Sequence, residues 1–148
     1  MSNLSDEEIA RTLRHFALNG DAFMGVFPMD TLPRRLSHYP AYMVINTQSH
    51  NLPGEHWLAV FITKDKRGEV FDSLGRPLST YLIRWLNQFT KAWKYNRKTY
   101  QHSLSDKCGA FVIYYLLHRL QNKTPAFTNS LAANDELVTT FYDTLIKK

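Results

Sequence analysis

Cysteine is almost absent from this chain: Cys108 is the only one among 148 residues. A lone cysteine excludes an internal disulfide framework and points to a reducing compartment, or to one where redox is indifferent. Long apolar runs are missing too. No stretch approaches the ~20 consecutive apolar residues a membrane-crossing helix needs, and Met1 to Glu8 is polar and acidic, which argues against a signal peptide or a membrane anchor. Acidic residues are outnumbered, 13 Asp and Glu against 18 Lys and Arg, a net charge of +5. That excess permits a polyanion partner without requiring one. No His-Glu-x-x-His and no Cys/His ligand spacing occurs, so no metal site is read. Repeats, low-complexity stretches and linkers are likewise absent, and the whole span 1–148 reads as one domain.

What is present is strongly patterned. Ser5 with Asp6, Glu7 and Glu8 reads as a capping box opening a helix, with Ile9, Leu13 and Phe16 on one face and Asn19-Gly20 as its stop. Phe23 to Phe27 is extended. Tyr42 to Thr47 and His56 to Thr63 read as strands separated by the loop Gln48 to Glu55. Lys64 to Gly68 is a turn and Glu69 to Ser73 a third strand, so the last two strands form a hairpin. Ser79 or Thr80 caps a helix carrying Leu82, Trp85, Leu86, Phe89 and Trp93, and Tyr95 to Gln101 reads as a further strand. Phe111 to Leu117 is apolar on every side, the mark of a helix buried in the middle of the fold. Asn134 caps a last helix with Leu137, Val138, Phe141 and Leu145 inward. The class is α+β, a mixed or antiparallel sheet packed on a central buried helix with others around it.

That central helix carries the chemistry. Ser105 or Asp106 as its cap puts Cys108 in the first turn, where free N–H groups and the helix dipole favour a thiolate over a thiol. Cys108 is therefore a nucleophile candidate, or else a small buried hydrophobe. A thiol nucleophile needs a base, a group to orient the base and donors for an oxyanion. Of six histidines, His15 and His118 read as packing or surface residues, His38 and His50 fall in loops, and His102 follows a predicted strand. His56 stands at a loop-to-strand junction, where the sheet fixes the ring while it faces a cleft. Asp72, on the partner strand, is an uncommon strand residue. It either accepts a bond from the imidazole Nδ1–H or makes a turn with Ser73 and Gly75. Gln101, seven positions before Cys108, offers an NH2 to the oxyanion, with the Cys108 N–H as second donor.

The order His, Asp, Gln, Cys resembles the adenovirus-type maturation protease (adenain), within the wider group that includes Ulp-type SUMO-processing proteases. Asn46-Thr47 and Gly54-Glu55-His56-Trp57 resemble the segment leading into the family's catalytic His-Trp. Phe71-Asp72-Ser73-Leu74-Gly75 resembles its acid segment. Gln101 and Cys108-Gly109-Ala110-Phe111 resemble its oxyanion glutamine and nucleophile, and Phe23-Met24-Gly25 an early Phe-x-Gly. The resemblance implies a cysteine endopeptidase fold in which Cys108 attacks, His56 moves the proton, Asp72 orients His56, and Gln101 holds the oxyanion. Trp57 is then a cleft wall or core. Adenovirus enzymes commonly carry Glu where this chain has Asp72, and Ulp-type enzymes usually have Asp where it has Lys107.

Further expectations follow from the resemblance. Substrates are viral precursor proteins cut beside glycine during virion maturation, in the host nucleus or virion, by a monomer without metal or membrane. DNA and an activating peptide are cofactors in that family. With no second cysteine, such a peptide acts here only non-covalently. Arg84, Lys91, Lys94, Arg97 and Lys98, interleaved with Trp93 and Tyr95, are the densest basic stretch. They read as the solvated side of a helix and its exit, or as a phosphate-binding strip. Two other functions compete: a protease for ubiquitin-like modifiers (SUMO, NEDD8 or ubiquitin), and a non-catalytic basic module binding nucleic acid or capsid.

Overall fold

The computed structural model describes residues 4–16, 22–36, 38–47, 56–102 and 105–147. The stop at Asn19-Gly20, the loop Gln48 to Glu55 with His50 and Gly54, and Ser103-Leu104 lie outside the described residues.

The capping box opens α1 (Asp6–Phe16). Glu8 N–H donates to Ser5 Oγ and Ser5 N–H to Glu8 Oε1, each at 3.1 Å, so two orphan donors are satisfied reciprocally. Among the described residues five strands form one sheet: β1 (Phe23–Pro28), β2 (Ala41–Asn46), β3 (Trp57–Ile62), β4 (Arg67–Phe71) and β5 (Ala92–Tyr95). Their spatial order is their sequence order. The inner pairs β2–β3 and β3–β4 are antiparallel and the outer pairs β1–β2 and β4–β5 parallel. The sheet is therefore mixed, as expected of the α+β class.

All six residues of β3 are buried, because both faces of the sheet are covered. Trp57, Ala59 and Phe61 join Tyr42, Val44, Phe71 and the helix α3 (Cys108–Leu120) in one core. Leu58, Val60 and Ile62 join Met43, Ile45, Val70 and the helix α2 (Thr80–Phe89) in another. The strand period of two sends alternate side chains to opposite cores. Nine of the 13 residues of α3 are buried, in keeping with a run that is apolar all round. α1 and α4 (Leu131–Ile146) complete the α3 side. Each fully buried Leu, Ile, Val or Phe contributes about 1.5–3 kcal/mol, so β3, which begins right after His56, is firmly clamped.

Four local expectations are corrected. Trp93 continues the helical spacing of α2 but lies in β5, because the helix ends at Phe89 and Thr90 N–H closes it on Leu86 O at 2.9 Å. The strand expected over Tyr95 to Gln101 comes earlier, at Ala92–Tyr95; beyond it Tyr100 and Gln101 N–H both turn to Ser73 O, at 2.8 and 3.0 Å. Ser130 rather than Asn134 caps α4, its Oγ accepting Ala133 N–H at 3.2 Å. Asn134 is buried inside that helix, its Oδ1 accepting Thr128 N–H at 2.8 Å and its Nδ2 donating to Tyr100 O at 3.1 Å. Lys107, not Ser105 or Asp106, is the N-cap of α3, and it makes no side-chain capping bond.

Candidate active site

His56 immediately precedes β3 and Asp72 immediately follows β4. Ala59 stands opposite Phe71 across the antiparallel hairpin, so both residues emerge at the same end of it. Asp72 Oδ1 lies 2.6 Å from His56 Nε2. The nitrogen is Nε2 and not the expected Nδ1, which leaves Nδ1 as the ring position free to face another group. Cys108, the first residue of α3, is the second side chain that hydrogen-bonds the imidazole.

Asp72 is held from several sides. Its Oδ1 also accepts Leu74 N–H at 2.9 Å and its Oδ2 accepts Arg76 N–H at 3.3 Å. Asn96 grips its backbone, with Oδ1 accepting Asp72 N–H at 2.8 Å and Nδ2 donating to Asp72 O. Gly75 closes the turn onto Asp72 O at 2.9 Å with φ +64°, and a Cβ there would stand 2.8 Å from Arg97 O, so only glycine fits. The two readings weighed for Asp72 thus coexist: one carboxylate makes the turn and meets the imidazole.

Gln101 lies 1% exposed. Ser73 Oγ–H donates to its Oε1, and its Nε2 donates to Ser105 O at 3.0 Å. The amide is thereby oriented with its NH2 toward the loop that leads into α3. The N-cap residue Lys107 makes no side-chain capping bond, and the first turn of α3, with Cys108 at its head, is the positive end of the helix dipole.

Burial makes these groups feel one another. Cys108 is 4% exposed, His56 8% and Asp72 2%, so solvent screens little. Desolvation alone would lower the His56 pKa. Hydrogen bonds and charge from Asp72 and Cys108 outweigh it and raise the ring to about 9, so the imidazole keeps its proton at neutral pH.

The supporting residues divide. Trp57 is fully buried, so it is core and not a cleft wall. Its Nε1–H donates to Asp6 Oδ1 at 2.5 Å. Gly109 packs against α1: a Cβ there would meet Leu4 Cβ at 3.0 Å and Ile9 Cδ1 at 3.2 Å. The basic residues Arg84, Lys91, Lys94, Arg97 and Lys98 are all exposed. Arg84 sits on α2, across the sheet from α3; the others lie on β5 and its flanks, with Arg97 over the Tyr95 ring at 5.8 Å and Lys98 bonded to Asn129. Among the described residues no group of three His, Cys, Asp or Glu side chains is placed to hold a metal ion. The sequence did not mark the contacts that Asn96, Ser73 and Asp6 make around the site. Asn96 and Asp72 are 24 positions apart and Ser73 and Gln101 are 28, and no local spacing signals such pairs.

A family model described as "Ulp1 protease family, C-terminal catalytic domain" matches residues 40–141, more than half of the chain. The chain belongs to the Ulp1 protease family. The match to this family of proteases contains His56, Asp72, Gln101 and Cys108 and begins after α1 and β1. It does not single out an adenovirus-type branch. Cysteine protease S273R of African swine fever virus (isolate Tick/Malawi/Lil 20-1/1983) is 29% identical over 108 residues, 63% of this chain. The chain spans only 38% of that viral protein. The crystal structure of the same viral protease superposes with a TM-score of 0.60 at 20% identity, covering 90% of this chain and 64% of its own. The central domain of an uncharacterized Legionella pneumophila protein, Lpg1148, superposes with a TM-score of 0.55 at 16% identity, covering all of both chains. At such identities the superpositions show a shared fold alone.

Proposed function

We propose that the chain is a cysteine endopeptidase of viral or virus-derived origin, of the adenain type, that cuts precursor proteins beside glycine. The observation that carries this reading is the buried relay Asp72–His56–Cys108, with 2.6 Å between carboxylate and imidazole. Asp72 holds the ring by Nε2 and stabilises it as imidazolium. The Cys108 sulfur attacks the peptide carbonyl carbon, its proton resting on the imidazole. Gln101 Nε2 and the Cys108 backbone N–H stabilise the negative oxygen. The His56 proton passes to the leaving amine as the C–N bond breaks, and water, deprotonated by the ring, then releases the acyl group from sulfur. A nucleophile residue recessed to 4% exposure suits a substrate without a side chain at the cut, and the viral cysteine protease among the relatives supports the viral reading.

DNA and a non-covalent peptide are proposed as activators, DNA meeting the exposed cations of β5 and its exit. A second reading, removal of a ubiquitin-like modifier, is favoured by the family model itself. Vinyl-sulfone probes built on SUMO, NEDD8 and ubiquitin, beside short Gly-containing peptide probes, discriminate the two. The deciding experiment is labelling and cleavage together. Wild-type Cys108 is expected to react rapidly with iodoacetamide at neutral pH, His56→Ala to slow this by about 10-fold or more, and Cys108→Ala to abolish cleavage. Retained cleavage by Cys108→Ala, or labelling indifferent to His56, ends the proposal.

A further inference from the structure

The helix α1 lies outside the span that the family model matches, yet it touches the neighbours of both His56 and Cys108. Ser5 and Glu8 complete the capping of α1 by themselves, so the Asp6 carboxylate is not needed as a cap. It leaves the helix instead. Asp6 Oδ1 accepts the indole N–H of Trp57 at 2.5 Å, and Asn46 Nδ2 donates to Oδ1 and Oδ2 at 3.1 and 3.3 Å. Asn46 and Trp57 are register partners across β2 and β3, so one carboxylate ties two strands to α1 beside His56. The His56 carbonyl is fixed as well, accepting Thr47 N–H at 2.8 Å and Thr47 Oγ1–H at 3.0 Å. One turn away Leu4 and Ile9 press on Gly109, next to Cys108.

Resting on the proposed protease reading, we infer that Asp6 is a positioning residue: by holding the Trp57 indole it sets the approach of the His56 ring to the Cys108 sulfur. The indole N–H is fully buried and needs an acceptor, and an anionic acceptor makes the stronger, shorter bond. Without it the indole loses its fixed tilt, and the ring that precedes it in the chain shifts with it. Misplacement on the order of 1 Å costs a reaction about 10²-fold.

The test uses the full chain with Asp6→Ala, Asp6→Asn, Trp57→Phe and the double variant Asp6→Ala/Trp57→Phe. Iodoacetamide labelling of Cys108 is followed from pH 5 to 9, alongside kcat and KM on a Gly-containing peptide and thermal melting. Asp6→Ala and Trp57→Phe are each expected to slow labelling and kcat about 10- to 100-fold with KM unchanged. Asp6→Asn keeps an oxygen for the indole and restores most of the rate. The double variant falls no further than Trp57→Phe alone, because Asp6 acts through the indole. The inference is overturned if Asp6→Ala melts earlier but labels and cuts like the wild type, or if the two losses multiply in the double variant. Should Asp6→Ala fail to fold, wild-type labelling by Trp57→Phe overturns it equally. A wild type sensitive to His56→Ala but indifferent to Asp6 sinks this inference alone, whereas indifference to His56→Ala sinks the protease reading.

Discussion

Replacing Asp72 by Asn should destabilise the protein far more at pH 6 than at pH 9.5. The ring of His56 titrates at 6.5 when unperturbed and near 9 in the folded chain. At about 1.4 kcal/mol per unit, the raised value is worth roughly 3 kcal/mol, shared between Asp72 and Cys108. Asp72 is the leading contributor among the groups that raise it, so about 2 kcal/mol falls to it. The folded pKa lies above the unfolded one, so this stabilisation is complete below pH 6.5 and disappears as pH rises through 9. Asp72→Asn also removes one acceptor from the turn, where Leu74 and Arg76 N–H both point at the carboxylate; that costs about 1 kcal/mol at every pH. Urea unfolding of both proteins at the two pH values should therefore give a loss of about 3 kcal/mol at pH 6 and about 1 kcal/mol at pH 9.5. Other groups that titrate in this range are common to both chains and cancel. Equal losses at the two pH values would refute the reasoning.

Gln101→Ala should lower kcat by about 10²- to 10³-fold yet leave iodoacetamide labelling of Cys108 unchanged, since alkylation creates no oxyanion; slowed labelling would mean that Gln101 only shapes the loop. Gly109→Ala should cost about 1–3 kcal/mol in thermal or urea unfolding, because the new methyl meets Leu4 Cβ at 3.0 Å and Ile9 Cδ1 at 3.2 Å. If DNA lies along the exposed strip, replacing Lys91, Lys94 and Arg97 with Glu should flatten the plot of log affinity against log salt by about three, read by fluorescence anisotropy. An unchanged slope removes those residues from the interface.

Much of this arrangement was legible because the residues concerned sit at boundaries. His56 stands where a loop meets an apolar strand, Asp72 where a strand runs into Ser-Leu-Gly, and Cys108 where a polar loop meets an all-apolar helix. Alternation and periodicity mark such places directly. What stayed hidden depends on folding at long range. The ring nitrogen facing Asp72 is set by the hairpin's geometry, and Asn96 reaches Asp72 only because β5 lies beside β4. Trp93 kept a helical spacing while tertiary pairing drew it into β5. Near the last helix two polar residues compete as caps, and burial of Asn134 against the Tyr100 carbonyl, not propensity, assigns the role to Ser130.

The sulfur and the imidazole arrive on separate pieces of chain, the head of α3 and the mouth of the β3–β4 hairpin, and meet only when α3 is seated across the sheet. On the proposed reading, a polypeptide emerging from the ribosome assembles its reactive pair only once its last core helix but one is in place. On that reading half-made copies lack the assembled pair, and alkylation of Cys108 that depends on His56 would gauge the folded fraction of a preparation.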